Sequence, residues 1–352
     1  MLICLFCAPA KGEVRFDLKG YAHVNGKPFF PIGIYTYQLD RTMLVQLKEA
    51  GFNTVVAGFR IDQLAMIDQA GMKAICINGP EWRAIAIKSP ALLGWYLMDE
   101  PESGKTVKEV LAAYKQLKES DPAHPIGLVH SMFEAISIFR DCADFTMPDI
   151  YPVTAKRDAQ LSVVAKYVDE TRSIHGGSRP CWPFIQIFGG PDVDGGKWAQ
   201  PSPEEARCMA FLALAHQATG LLYFSYWPQG GETWRSMSAL NRDVQRLVPW
   251  LVADGTEEEA TSSKPAVHLR ARRIGNEYMI IAVNPGPERV TAKLHFKGFR
   301  ASTLQTMNGK GEVSVSGGEW DDIFEPLQVK VLCSNPSLFN SAGKSSPAGD
   351  AR

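Results

Sequence analysis

Two adjacent carboxylates, Asp99 and Glu100, follow directly on the apolar run Leu92-Leu93-Gly94-Trp95-Tyr96-Leu97-Met98 and stand before Pro101. Such a run predicts a buried strand, and acids at its C-terminal end are delivered to a solvent-facing rim where they can exchange protons. Glu100 is the candidate proton donor. Asp99 beside it would raise its proton affinity by like-charge repulsion, or hold a substrate hydroxyl. A further acid, Asp149, closes the run Phe145-Thr146-Met147-Pro148 and is followed by Tyr151. Other apolar runs end in or near Tyr35, Asn78, His130, Gln186 and Trp227. Aromatic rings stack on the C–H face of a sugar while carboxylates and amides bind its hydroxyls, so this set suits a carbohydrate. Cleavage of a glycosidic bond would need a protonated carboxyl at the leaving oxygen and a second carboxylate as nucleophile or as base for water.

These residues converge only if the runs that carry them close into one structure. From residue 29 the chain alternates apolar stretches with amphipathic ones, and Gly51 and Gly71 each end a helical pattern just before the next apolar stretch. Glu49-Ala50-Gly51-Phe52-Asn53-Thr54 and Gln69-Ala70-Gly71-Met72-Lys73-Ala74 repeat one pattern, as consecutive βα units would. Strands are expected at 29–35, 53–56, 73–77, 92–98, 125–129, 145–149, 183–188 and 220–226, which is the number that closes a (β/α)₈ TIM barrel. No Gly-rich phosphate turn follows the first strand, which weighs against an open, doubly wound sheet.

Before the barrel, short strands flank Asn25-Gly26, a type I′ hairpin signal. Beyond residue 254 the sequence turns polar over 256–264 and then breaks into short alternating strands between Gly- and Asn-rich turns, predicting a small antiparallel β-sandwich. The expected organisation is a signal-like segment over 1–10, an N-terminal hairpin and barrel over 11–254, a sandwich over 255–334 and a disordered tail over 335–352.

The first ten residues are apolar and end in Ala8-Pro9-Ala10, an A-x-A cleavage pattern, so export to the periplasm or exterior is expected. No stretch reaches the roughly 18 apolar residues that a membrane span requires. A net charge of −1 without any dense Lys/Arg block argues against nucleic acid as a partner. Apart from Cys4-Leu5-Phe6-Cys7, a CxxC set in an apolar N-terminal run unsuited to metal or redox work, the cysteines are scattered and none is clustered with His at metal-ligand spacing, so neither a metal nor another cofactor is expected. Oligomeric state is not encoded in any of these patterns.

The chain resembles the retaining glycoside hydrolases of clan A, whose fourth barrel strand ends in Asn-Glu-Pro with the Glu as acid/base. Asp99-Glu100-Pro101 matches two of those three positions, with Asp99 replacing the Asn that contacts a sugar hydroxyl. Val24-Asn25-Gly26-Lys27-Pro28-Phe29-Phe30-Pro31-Ile32-Gly33, Leu47-Lys48-Glu49-Ala50-Gly51-Phe52-Asn53-Thr54-Val55 and Asp149-Ile150-Tyr151-Pro152 are similar to the segments leading into strand one, into strand two and out of strand six of such chains. The resemblance implies a glycosidase acting on an oligo- or polysaccharide with Glu100 as general acid/base. It breaks at strand seven, where the family carries its nucleophilic Glu and this chain has Gln186, an amide that cannot act as an anionic nucleophile. Three explanations are open. Another carboxylate, Asp149 ahead of Asp192 and Asp194, can take the second role; Gln186 can orient a substrate N-acetyl group or a water; or the barrel binds carbohydrate without cutting it.

Overall fold

The computed structural model describes residues 12–57, 60–157, 160–225 and 232–340. The signal-like segment over 1–10 lies outside them.

An antiparallel sheet of β1 (Val14–Phe16), β2 (Ala22–Val24) and β3 (Lys27–Phe29) opens the chain. Asn25 and Gly26 both adopt positive φ, as the two central residues of a type I′ turn must. The sheet lies at the barrel floor, where the Phe16 ring meets Phe145 at 6.3 Å and Trp182 at 5.9 Å.

Eight parallel strands then close a barrel: β4 (Ile32–Tyr35), β5 (Thr54–Val56), β6 (Lys73–Ile77), β7 (Leu92–Met98), β8 (Ile126–His130), β9 (Phe145–Ile150), β10 (Phe184–Gln186) and β11 (Leu221–Phe224). All eight fall where apolar runs predict them, and β11 pairs with β4 to complete the ring. Leu93, Val129, Phe145, Met147, Phe184 and Leu222 are among the residues filling the interior, so the barrel is a packed core with a site only at its rim. Space is shared between strands by size. A Cβ at Gly127 of β8 would come within 2.3 Å of the Phe145 ring, so the absent side chain on one strand makes room for the large one on its neighbour.

The helices are α1 (Arg41–Glu49), α2 (Leu64–Gln69), α3 (Arg83–Ala86), α4 (Val107–Ser120), α5 (Phe133–Ile138), α6 (Val163–Ser173), α7 (Pro203–Ala215) and α8 (Glu232–Val252). Local chemistry sets their ends. Asp40 accepts from the Met43 amide to start α1, and Gly51 at φ +85° turns the chain out of it into β5. Thr106 with Glu109 and Ser202 with Glu205 form reciprocal caps on α4 and α7.

After α8 the chain forms a six-stranded and a three-stranded antiparallel sheet, with Tyr278, Phe296, Leu304, Trp320 and Phe324 in the core between them. The polar stretch at the start of the sandwich contributes two strands, Thr256–Glu258 and Ala260–Ser262. Their acids have partners. Glu257 pairs with Arg270 and Arg272, each at 2.8 Å, and Glu258 with Arg273 at 2.6 Å. Arg270 also donates to the Leu214 carbonyl at the end of α7, and Arg272 to the Ala253 carbonyl, tying the sandwich to the barrel helices. Part of the segment expected to be a tail is ordered, and residues 341–352 lie outside the described ones. Ser337–Asn340 form a helical turn, α9, whose buried Phe339 stacks on Trp250 of α8 at 5.7 Å.

Candidate active site

The C-terminal ends of the strands surround a cavity of about 710 Å³, lined among others by Glu100, Ser131, Asp149, Tyr151, Lys197 and Trp198. Glu100 and Asp149, the two acids singled out on strands four and six, thus share one cavity. Glu100 leaves β7 in the left-handed conformation, φ 38° and ψ 58°, uncommon for a residue with a side chain and concentrated at functional sites. Pro101 then starts a short 3₁₀ turn over Pro101–Ser103.

The electrostatics of the two acids differ. Asp149 has one carboxyl oxygen, Oδ1, sealed from solvent with no hydrogen-bond partner. Burial, reinforced by the charges of Asp99, Glu100 and Glu102, raises its pKa well above the ordinary Asp value, although the Tyr151 hydroxyl opposes the rise as a hydrogen-bond donor. Glu100 is half-buried and also raised, by burial and then by Asp99, but here Ser131 as a hydrogen-bond donor and Lys197 by its charge pull the other way. Asp99 is exposed and receives a 2.6 Å hydrogen bond from Tyr96, and it stands beside the cavity rather than in its lining.

Glu102 is a site residue that the sequence disguised, because acids after a strand-ending proline resemble a solvated helix start. Its side chain is buried; its carboxylate receives the Ser131 and Met132 amides at 2.8 and 3.1 Å and lies 2.9 Å from His130 Nδ1. Burial by itself would raise Glu102, but these bonds outweigh it and leave the pKa below the ordinary Glu value. Tyr167 donates to the Ser131 carbonyl at 2.9 Å, so Ser131 is held from two sides where it faces Glu100.

Aromatic rings form another part of the wall. Tyr151 stands edge-on to Phe188 at 4.7 Å and to Trp198 at 5.7 Å, and Phe224 lies 5.5 Å from Tyr151. Lys197 Nζ sits 4.5 Å above the Trp198 ring. Lys197 and Trp198 belong to the glycine-rich loop after β10. The loop is fastened by backbone hydrogen bonds from Ala155 to Lys197, from Gly190 to Trp198 and from Ala199 to Val153. Gly189 at φ +149° admits this return, since a Cβ there would lie 2.2 Å from the Ala199 backbone.

The remaining expected binding residues divide. Tyr151 lines the cavity. Tyr35 packs edge-on behind Tyr37 at 5.3 Å, and Tyr37 reaches the cavity instead. Asn78 is outside the lining, its carbonyl oxygen held by two nitrogens of Arg83 at 3.2 and 3.0 Å. His130 lies beneath Ser131, stacked on Phe139. Gln186 is fully buried. Its oxygen accepts from the Val153 amide at 2.8 Å, and its nitrogen donates to the carbonyls of Val153, Phe188 and Ala199 at 3.0 to 3.2 Å. It clamps the loops after β9 and β10 together and presents no free polar atom to a substrate. Trp227 lies outside the described residues.

No family model matches the sequence, and no curated protein matches it. Solved structures do match in fold. A protein described as a glycoside hydrolase superposes with a TM-score of 0.64 at 13% identity, over 93% of this chain and 98% of that one. A family 5 glycoside hydrolase from Bacteroides vulgatus gives 0.62 at 13% identity, over 93% and 94%. A family 30 endoxylanase from Clostridium papyrosolvens gives 0.54 at 12% identity, over 92% and 98%. The chain shares its barrel fold with these glycoside hydrolases. At these identities the likeness concerns architecture, and the chemistry must be argued from the cavity itself.

Proposed function

We propose that the protein hydrolyses glycosidic bonds, with Glu100 and Asp149 as the carboxyl pair. The observation that carries this is their presence in one cavity, walled by aromatic rings, with surroundings that raise the proton affinity of both and support the charge of Glu100 better than that of Asp149. Two carboxyls in electrostatic contact share a proton rather than ionising independently, and it resides on the one whose charged form is less supported. That is Asp149, buried with an unpartnered oxygen. Glu100, steadied by Ser131 and Lys197, carries the negative charge.

The proton assignment exchanges the roles expected from the sequence. Asp149 protonates the departing glycosidic oxygen as the bond to the anomeric carbon breaks. Glu100 either attacks that carbon or takes a proton from the attacking water. Asp99, held by Tyr96, adds negative potential beside the developing positive charge of the sugar ring. Tyr151 and Trp198 supply stacking surfaces.

The absence of an acid at strand seven favours one other reading, a barrel that binds carbohydrate and leaves it intact. A panel of aryl glycosides and polysaccharides, assayed for release of aglycone and of reducing ends, separates the two. Turnover that disappears in both Glu100→Gln and Asp149→Asn is the expected result. Glycan binding by calorimetry with no product from any substrate would favour the binder.

A further inference from the structure

Beside the first cavity lies a second chamber of about 740 Å³, over the ends of β5 and β6. Tyr37 lines both, so the two adjoin at this side chain. Their walls differ in kind. The first offers carboxyls, a lysine, hydroxyls and an amide; among the described residues the second is lined by Tyr37, Ala57, Ile61, Cys76, Ile77 and Trp82, with Arg60 and Asp62 as the charged ones.

Arg60 and Asp62 are engaged with each other. Arg60 Nε donates to Asp62 Oδ1 at 2.9 Å, and Nη2 donates to Oδ2. The indole N–H of Trp82 donates to the Ile77 carbonyl at 3.2 Å, leaving the ring as apolar surface. Burial pushes the Cys76 thiol up, which keeps it neutral. Ile77 is 44% exposed and Tyr37 61%, so large apolar side chains stand open to solvent around this chamber. The Trp82 ring rests on Gly79, where a Cβ would come within 2.4 Å of it.

A second sugar in this chamber would bring several hydroxyls out of water against walls with little to bond them, at a cost for each unmet group. A flat apolar group meets no such cost and gains the burial of its faces. We propose that the second chamber binds the apolar, planar aglycone of a glycoside whose sugar occupies the first. The proposal rests on the hydrolytic function above, and it narrows the substrate class from sugar polymers to glycosides of aromatic or similarly flat alcohols.

The test separates binding from turnover. Calorimetry with 2-naphthol, an aglycone probe without a sugar, is expected to show binding to the wild-type protein and to Glu100→Gln alike. Trp82→Ala, Ile77→Ser at the exposed edge and Gly79→Ala beneath the indole are each expected to weaken that binding about tenfold or more, with circular dichroism confirming that each variant is folded. In turnover, 2-naphthyl glycosides should show KM values about tenfold below those of the methyl glycosides of the same sugar, and Trp82→Ala should erase the difference. Absence of 2-naphthol binding, or binding that no folded variant weakens, overturns the proposal. Binding lost in the variants, with no glycoside hydrolysed by the wild-type protein, upholds the apolar chamber and overturns hydrolysis.

Discussion

Replacing Asp149 with Asn tests where the cavity keeps its proton, and does so without a substrate. In the folded protein one oxygen of this carboxyl is shut off from solvent and unpartnered, and burial together with the charges of Asp99, Glu100 and Glu102 holds its pKa well above the ordinary value. In the unfolded chain the same side chain loses its proton near pH ~3.9. Above that pH the native state therefore binds one more proton than the unfolded state, and stability falls as pH rises. The slope is about 1.4 kcal/mol per pH unit for as long as the folded carboxyl stays protonated. An amide at this position has no proton to lose, so the variant escapes the slope. Because the amide is neutral, as protonated Asp149 is, Asp99, Glu100 and Glu102 keep their surroundings, and their own titrations cancel in the difference. The assay is urea unfolding of both proteins at intervals between about pH 4 and pH 7. Asp149→Asn should gain stability relative to wild type at about that slope from the low end of the range upward. A difference that stays constant with pH would mean that Asp149 titrates as an ordinary aspartate, and the assignment of the resting proton to it would fail.

Glu100→Gln should abolish hydrolysis while leaving the unfolding free energy within about 1 kcal/mol of wild type, because the side chain is half-buried and its exchange keeps the volume. Gln186→Glu, which restores the acid type found at strand seven in clan A, should not increase turnover. It should cost about 3 kcal/mol or more, since a carboxylate there would face the carbonyls of Val153, Phe188 and Ala199 that now accept from the amide nitrogen. Glu102 has its pKa lowered, so its contribution is present above the ordinary Glu range and is lost as pH falls through the folded value. Glu102→Gln should flatten that acid limb in pH-dependent unfolding and lower kcat by releasing Ser131. Arg272→Met should cost about 1–3 kcal/mol in denaturant unfolding, because it strips the donor from the carbonyls at the end of α8, while Glu257 keeps Arg270 as a partner.

The sequence revealed those features whose cause is local. Leu92–Met98 announces itself as an interior strand because all but its last residue are buried, and Gly51 announces the end of α1 because the turn there needs a positive φ. Glu257 and Glu258 lie in a polar stretch whose sequence neighbours give no sign of their partners. Their partners, Arg270, Arg272 and Arg273, arrive 13 or more residues later across a strand pair that no short window contains. Glu102 was obscured for the same reason, since what turns it from a surface acid into a buried anchor is His130 and the Ser131 amide, 28 and 29 residues further on.

Gln186 carries the same lesson into the chemistry. From sequence it is a missing nucleophile, a hole in a pattern; in the fold, four hydrogen bonds use both ends of its amide to join the loops after β9 and β10. One of those bonds goes to Ala199, next to Trp198, so the residue that departs from the family pattern helps to position the cavity wall. An acid returned to that position would disrupt the wall before it could act on a substrate. The hydrolysis proposed above draws on strands four and six, while Asp194 of the loop after β10 also lines the cavity. Of the acids that end those strands, Glu100 and Asp149 line the cavity, and they differ most in how well their charge is supported.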